Sequence, residues 1–286
     1  MLDFAIKNEP FLRLGFFFGV LALISFWELL KPRRKLTQRK SIRWYSNLGI
    51  VALNTLLLRF LFPMSAVAFA LVVQKNNWGL FNNTGVSFAF AIVASVVLLD
   101  LAIYLQHVMF HFVPAFWRLH RMHHADLDID VTTGNRFHPL EILLSMGIKF
   151  SVIALLGAPA IAVLIFEILL NATSMFSHGN IDLPAKVDKV LRWIVVSPDM
   201  HRIHHSIHVE ETNSNFGFNL PWWDRFFGTY RRNPRDGHTE MTIGIDLFRE
   251  QKYLNLHWLL VQPFLSGKDR YASGQNWLRK RRNSTR

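Results

Sequence analysis

The sequence predicts an all-α integral membrane bundle capped by a histidine-rich layer, and three observations carry that expectation. Apolar residues make up 51% of the 286 positions, with 25 Phe and 9 Trp. They cluster in four segments, 11–30, 47–73, 84–104 and 142–170, each about as long as the roughly twenty residues a helix needs to cross a hydrocarbon core. Finally, most of the histidines fall between the last two segments and just after the fourth. Four such stretches in one short chain favour spans over the buried helices of a large soluble core.

The first segment carries Arg13 and Glu28 and has no small-residue cleavage site, so it reads as a retained anchor rather than a signal peptide. A basic run follows it: Lys31, Arg33, Arg34, Lys35, Arg39, Lys40 and Arg43. A second basic cluster, Arg279, Lys280, Arg281, Arg282 and Arg286, closes the chain. Basic excess beside spans marks the cytoplasmic side, so both runs are expected to face the cytosol and anionic lipid headgroups. The net charge of +12 therefore argues for a membrane surface, and with no recognition fold beside it, nucleic-acid binding is not expected. The absence of Cys excludes disulfides, thiolate metal sites and a cysteine nucleophile.

Walking from the anchor, the N-terminus lies outside, residues 31–45 inside and 74–83 outside, and the third span returns the chain to the cytosol. The fourth segment then poses a geometric problem. Residues 140–175 as one straight helix would rise roughly 50 Å and separate His138 from His178 across the bilayer. Leu156-Gly157-Ala158-Pro159 supplies a break, because Pro159 removes a donor and disfavours helix at Ala158. A helical hairpin over 141–175 is expected. The chain then divides into spans and basic loop (1–106), a histidine-bearing catalytic region (107–232) and a cytosolic or interfacial basic tail (233–286).

Nine of the thirteen His form a pattern: His107 and His111; His120, His123 and His124; His178; His201, His204 and His205. Spacings of three and four share a helical face, so each group can direct imidazoles at one point. One such pair is a weak signal; three in series on one membrane face point to metal. Imidazole suits Fe, Zn, Cu and Ni. The number of His is enough for two ions with positions left open, whereas a tetrahedral zinc uses about four ligands. A zinc hydrolase would want Glu directly after the first His, and Val108, Arg121 and Arg202 stand there. Bis-His haem, as in a membrane electron carrier, gives no reason for the HxxHH doublets. The zinc hydrolase and the haem carrier are the alternatives to a di-metal oxygenase.

The arrays His107-x-x-x-His111, His120-Arg-Met-His123-His124 and His201-Arg-Ile-His204-His205 resemble the three histidine boxes of the fatty acid hydroxylase superfamily, also called the sterol desaturase family. Arg136-Phe-His138-Pro-Leu-Glu141, Phe176-Ser-His178-Gly-Asn180, Ser197-Pro-Asp-Met-His201 and Trp223-Asp-Arg-Phe-Phe-Gly-Thr-Tyr230 extend the likeness over residues 90–232. The resemblance implies two iron ions, O2 as co-substrate, and hydroxylation or desaturation of a lipid C–H bond in a fatty acyl, sterol or hopanoid, carotenoid or alkylglycerol substrate. It implies the nine His as ligands, and His138 as a ligand or its support, the plain reading being a helix cap. Electrons would come from a separate donor, a ferredoxin, a cytochrome b5 or a reductase, since no such segment is evident in the chain.

Other polar residues carry weaker expectations. Asp100 lies two helical turns before His107 and is expected to accept a bond from a ligand imidazole, the alternative being an ion pair with Arg59 or Arg118. Asp126, Asp128, Asp130, Asn180 and Asp199 are supporting candidates or solvated loop residues. His208 reads as a surface or supporting residue, and His238 and His257 as exposed or interfacial. Phe60, Phe62, Phe88 and Phe90 are candidate walls for a lipid tail entering from the bilayer. Residues 216–230 read as an aromatic interfacial layer, and 256–264 as a short segment at the interface or against the cap.

Overall fold

In the computed structural model, residues 2–267 and 270–272 are described. The basic cluster Arg279, Lys280, Arg281, Arg282 and Arg286, expected at the cytosolic face, lies outside them. The membrane helices are α2 (Glu9–Leu30), α3 (Lys40–Leu61), α4 (Ala66–Lys75), α5 (Phe88–Phe112), α7 (Pro139–Leu156) and α8 (Ala160–His178), with α1 (Leu2–Lys7) leading in. The cap is built from α6 (Pro114–His124), α9 (Ala185–Leu191), α10 (Pro198–His204), α11 (Val209–Thr212), α12 (Trp222–Phe226), α13 (Gly237–Glu240) and α14 (Leu256–Val261). Among the described residues there is no strand, only two isolated bridges, Pro32 with Ile181 and Ser206 with Ile243.

Five helical stretches are long and apolar enough to cross a membrane, α3 and α4 counting as one. That stretch breaks at residues 62–65, where Pro63 cannot donate and the Ser65 side chain caps α4 by accepting from the Ala68 amide. The expected hairpin is present. Helix α7 ends on Gly157, whose φ of 67° is the left-handed conformation of a helix C-terminus, and α8 starts after Pro159. A side chain at Gly157 would also meet the Trp78 carbonyl at 2.7 Å, so the turn needs Gly for space as well. The hairpin brings His178 back to the end of the bundle where α7 begins.

Small residues let these helices pack closely, as expected where hydrocarbon tails offer no hydrophobic contrast. Ala66, Val67 and Ala70 of α4 share a buried cluster with Leu99 and Ile103 of α5, Ile153 of α7, and Ile161 and Phe166 of α8. Conversely, Phe60 is 86% exposed and Phe88 and Phe90 more than half exposed, while Phe62 packs edge-on against Phe150. The first three face the lipid side and do not form the cavity wall expected of them, because on a span the cheapest place for a large apolar ring is the bilayer.

A buried ionic block joins the spans to the cap. Arg43 of α3 donates to Asp126 at 2.7 and 2.9 Å and to Asp130 at 2.5 Å, and all three side chains are fully buried. Asp128 accepts from the Thr37 and Gln38 amides at 2.8 and 2.7 Å. The alternating aspartates are thus neither a solvated loop nor imidazole partners; they clamp the basic loop onto the segment after α6. Arg33 is likewise committed to Asp182 and Asp199. Part of the basic run expected at lipid headgroups is therefore spent inside the protein.

Residues 256–264 pack against the cap and α3: a side chain on Gly49 would meet Leu256 at 3.1 Å, and Arg118 of α6 donates to the Pro263 carbonyl at 2.8 Å.

Candidate metal centre

Three of the helices that carry the histidines or their partners start on proline, α6 at Pro114, α7 at Pro139 and α10 at Pro198, where a missing N–H costs nothing and the fixed φ suits the first turn. Helix α5 reaches the cap with His107 and His111 on one face, and the turn at Val113 folds α6 back beside it. Helix α8 contributes His178 from its last residue.

Nine histidines meet at this end, all buried, in two groups. His107, His111, His120, His124 and His204 form one; His123, His178, His201 and His205 form the other; within each, the candidate ligand atoms lie within 4.8 Å of one another. Each HxxHH array is split between them. His120 and His124, and likewise His201 and His205, are the four-apart pairs that stay together, while His123 and His204 point to the opposite group. Consecutive residues on a helix are about 100° apart, so a doublet cannot aim both rings at one point, and each array bridges two centres.

Hydrogen bonding fixes the tautomers. Nδ1 of His107 donates to the Phe216 carbonyl at 2.8 Å, Nδ1 of His204 to the Ser214 carbonyl at 2.8 Å, and Nδ1 of His178 to the Ser174 carbonyl at 2.7 Å. Nδ1 of His120 donates to Glu141 Oε1 at 2.7 Å. A carbonyl or carboxylate oxygen only accepts, so in a neutral ring Nε2 carries a lone pair. Yet Nε2 of His107 stands 3.1 Å from that of His120 and 3.0 Å from that of His204. Burial, reinforced by neighbouring imidazoles, holds His123, His124, His201, His204 and His205 well below the ordinary histidine value, which favours their neutral, ligand-ready forms. Lone pairs converging at this range call for a cation between them, and the donor set fits metal ions.

Nearby polar groups act at one remove. Asp100 reaches no imidazole: its carboxylate accepts from the Asn219 and Leu220 amides, both at 3.2 Å, and from Trp223 Nε1 at 2.8 Å. It does not pair with Arg59 or Arg118. Residues 219–223 run beside the middle of α5, where backbone amides have no water to bond, and the carboxylate satisfies them there. Asp224 accepts from the Phe216 and Gly217 amides, both at 2.8 Å. Together these two aspartates fix the loop whose Phe216 carbonyl orients His107.

His138 is in neither group. Its Nδ1 caps α7 by accepting from the Leu140 amide at 3.2 Å, and its Nε2 faces the Leu260 carbonyl at 3.2 Å, which is the capping role weighed against ligation. His208 bonds Asp236 at 2.7 Å near the surface, and Asp199 pairs with Arg33, Arg202 and His238. Asn180 ties the basic loop down by accepting from the Arg34 amide. His238 is partly buried, and burial brings it down to about 4.

Glu141, a carboxylate that bonds a clustered imidazole, is not singled out by the sequence. Its signal was an acidic residue in the first turn of an apolar helix, within the Arg136 to Glu141 stretch. Replacing it with Gln is expected to weaken metal binding about 10–100-fold, as loss of an outer partner to a ligand imidazole typically does, read by competition with a chelator.

A cavity of about 240 Å³ opens onto His107 and His120 and runs into the bundle between α3, α5, α7 and α8. Phe110, Phe137 and Phe218 line its upper part.

A membrane helical bundle whose capped end gathers nine buried imidazoles defines a membrane protein with a histidine cluster that could hold metal. Residues 92–229 match the fatty acid hydroxylase family model, so this stretch carries a fatty acid hydroxylase domain. Ornithine lipid hydroxylase OlsE of Rhizobium tropici is 27% identical over 240 residues, covering 79% of this chain and 69% of that protein. Alkylglycerol monooxygenase of Homo sapiens is 27% identical over 137 residues, covering 46% of this chain and 28% of that protein. Cholesterol 25-hydroxylase of Rattus norvegicus is 24% identical over 140 residues, covering 49% and 46%. This chain thus spans less than half the length of the last two relatives. No solved structure matches significantly.

Proposed function

We propose that this protein is a membrane-bound, O2-dependent lipid hydroxylase that uses two iron ions, one held among His107, His111, His120, His124 and His204 and the other among His123, His178, His201 and His205. The observation that carries the reading is the gathering of nine buried imidazoles into two adjoining groups, with the Nε2 atoms of His107, His120 and His204 converging in the first. When bound, the ions supply the redox chemistry: one oxygen atom enters an unactivated C–H bond and the other leaves as water with two electrons and two protons. The protein's own part is placement and exclusion. Carbonyls lock the rings of His107, His178 and His204, Glu141 locks that of His120, and the buried surroundings keep bulk water from the reacting face.

A lipid would enter from the bilayer between α3 and α7, where Thr55, Leu58 and Ser145 line the cavity and are at least partly exposed. The cap and the basic loop share one end of the bundle, and the excess of Lys and Arg there supports a cytosolic placement. Electrons would then be delivered from that side by a separate donor. Hydroxylation is favoured over the alternatives because all three relatives are named as hydroxylases or monooxygenases. A zinc hydrolase would need a free general base, and Glu141 is committed to His120.

Elemental analysis of the purified protein, with an absorption spectrum, tests the reading. The expected result is about two irons per chain and no haem band. Haem, or a single ion per chain after full loading, would overturn it.

A further inference from the structure

The cavity that begins at His107 and His120 ends on an ionic network among the membrane helices, in which Lys149 and Glu167 are buried and Arg13 is partly exposed. Lys149 of α7 donates to Glu167 of α8 at 2.5 Å, and Arg13 of α2 bonds Glu167 at 2.9 Å and Glu9 at 2.7 Å. Arg13, Lys149 and Glu167 all line the cavity. Counting along the helices at 1.5 Å per residue, Lys149 lies roughly 12 Å below Glu141, and Glu167 roughly 16 Å below His178. Charges at that depth are costly, and those that line a cavity in a membrane protein are functional candidates first.

The chemistry of the lining narrows the ligand. Between the imidazoles and the ionic network stand Gln106, Ser145 and Asn171, more polar surface than a plain alkyl chain can use. Gln106 Nε2 donates to Ser145 at 3.2 Å, while its buried Oε1 has no partner among the described residues, nor has the buried Asn54 Oδ1. An ammonium carries three donors, so Lys149 has more capacity than Glu167 takes. The network is already balanced, Arg13 and Lys149 against Glu9 and Glu167. An anionic headgroup would therefore bring an uncompensated charge into low dielectric, whereas a neutral oxygen would not.

We infer that the substrate is a lipid bearing an uncharged hydrogen-bonding oxygen, a hydroxyl or carbonyl, which sits on Lys149 while a carbon roughly 12–16 Å away faces His107 and His120. This specifies the substrate class of the hydroxylase proposed above and rests on that reading. Lys149 is thus a specificity residue, and the aromatic rings near the imidazoles hold the apolar part.

The test is binding rather than turnover. Metal-loaded protein in nanodiscs is photolabelled with a diazirine analogue of hexadecanol, and unlabelled hexadecanol and hexadecane compete for the site. In the wild type, hexadecanol is expected to displace the probe at a concentration at least about tenfold lower than hexadecane, the scale of one buried hydrogen bond. In Lys149→Met the difference should fall below about twofold with metal content unchanged, and Lys149→Arg should keep it. If Lys149→Met does not accumulate, Lys149→Met/Glu167→Gln removes both charges together and leaves Arg13 with Glu9. Equal discrimination in the wild type and in Lys149→Met or the double variant, or none in the wild type, overturns the proposal and assigns the network to holding α2, α7 and α8 together. Metal content separates the two failures: a wild type that binds no iron pair sinks the hydroxylase reading, whatever the competition shows.

Discussion

His204→Ala is expected to empty the five-histidine centre and cut turnover by more than the roughly 10–100-fold that follows loss of an outer partner. The ring lies between the two groups in sequence, flanked by His201 and His205 of the other centre, but its Nε2 stands 3.0 Å from His107. Its Nδ1 is anchored on the Ser214 carbonyl, so no neighbouring ring can swing in to replace it. Iron per chain should fall by about half in His204→Ala. In His123→Ala it should fall by the same amount from the other centre, which metal-edge spectroscopy would distinguish by the number of nitrogen neighbours left. Two irons and unchanged turnover in both variants would refute the paired-centre assignment.

Arg43→Met should be the most destabilising single change in the cap. It leaves Asp126 and Asp130 facing each other, both fully buried, without the guanidinium that holds them. Breaking a buried pair from one side costs about 3–5 kcal/mol. A large drop in melting temperature in detergent, or failure to accumulate in the membrane, is the expected outcome; a melting curve like that of the wild type would show that the block contributes nothing. The same block predicts acid sensitivity. Burial alone would raise the Asp126 carboxyl, but Arg43 and Arg136 hold it down to about 2. Its folded-state value lies below the ordinary 3.8, so its contribution is complete above that value and is lost as pH falls towards about 2.

Much of this was readable in the chain itself. The spans were visible because helices in lipid advertise themselves as long apolar runs, and the hairpin because Gly157 and Pro159 interrupt one of them at its middle. The nine histidines were visible as spacing. Which histidine serves which centre was not, because sequence distance says that three and four share a face but leaves open that adjacent residues diverge. Asp100 misled for a related reason: it shares a face with His107, but side-chain reach is consumed by the nearest unsatisfied donors, here the amides of a loop 119 residues away. The orienting carbonyls of Ser174, Ser214 and Phe216 leave no trace in composition, since every residue has one. Arg43 looked like a surface charge beside a span, and only its fit against Asp126 and Asp130 takes it inside.

The splitting of each doublet between two centres has a mechanical consequence. A bilayer that thins, thickens or comes under tension tilts long helices, and a pair of sites hung separately on α5 and α8 would be drawn apart with them. Helices α6 and α10 each hold both sites within a single turn, so the gap is set by covalent bonds and by 100° of helical rotation. The reacting end is thereby insulated from the elastic state of the membrane that supplies its substrate.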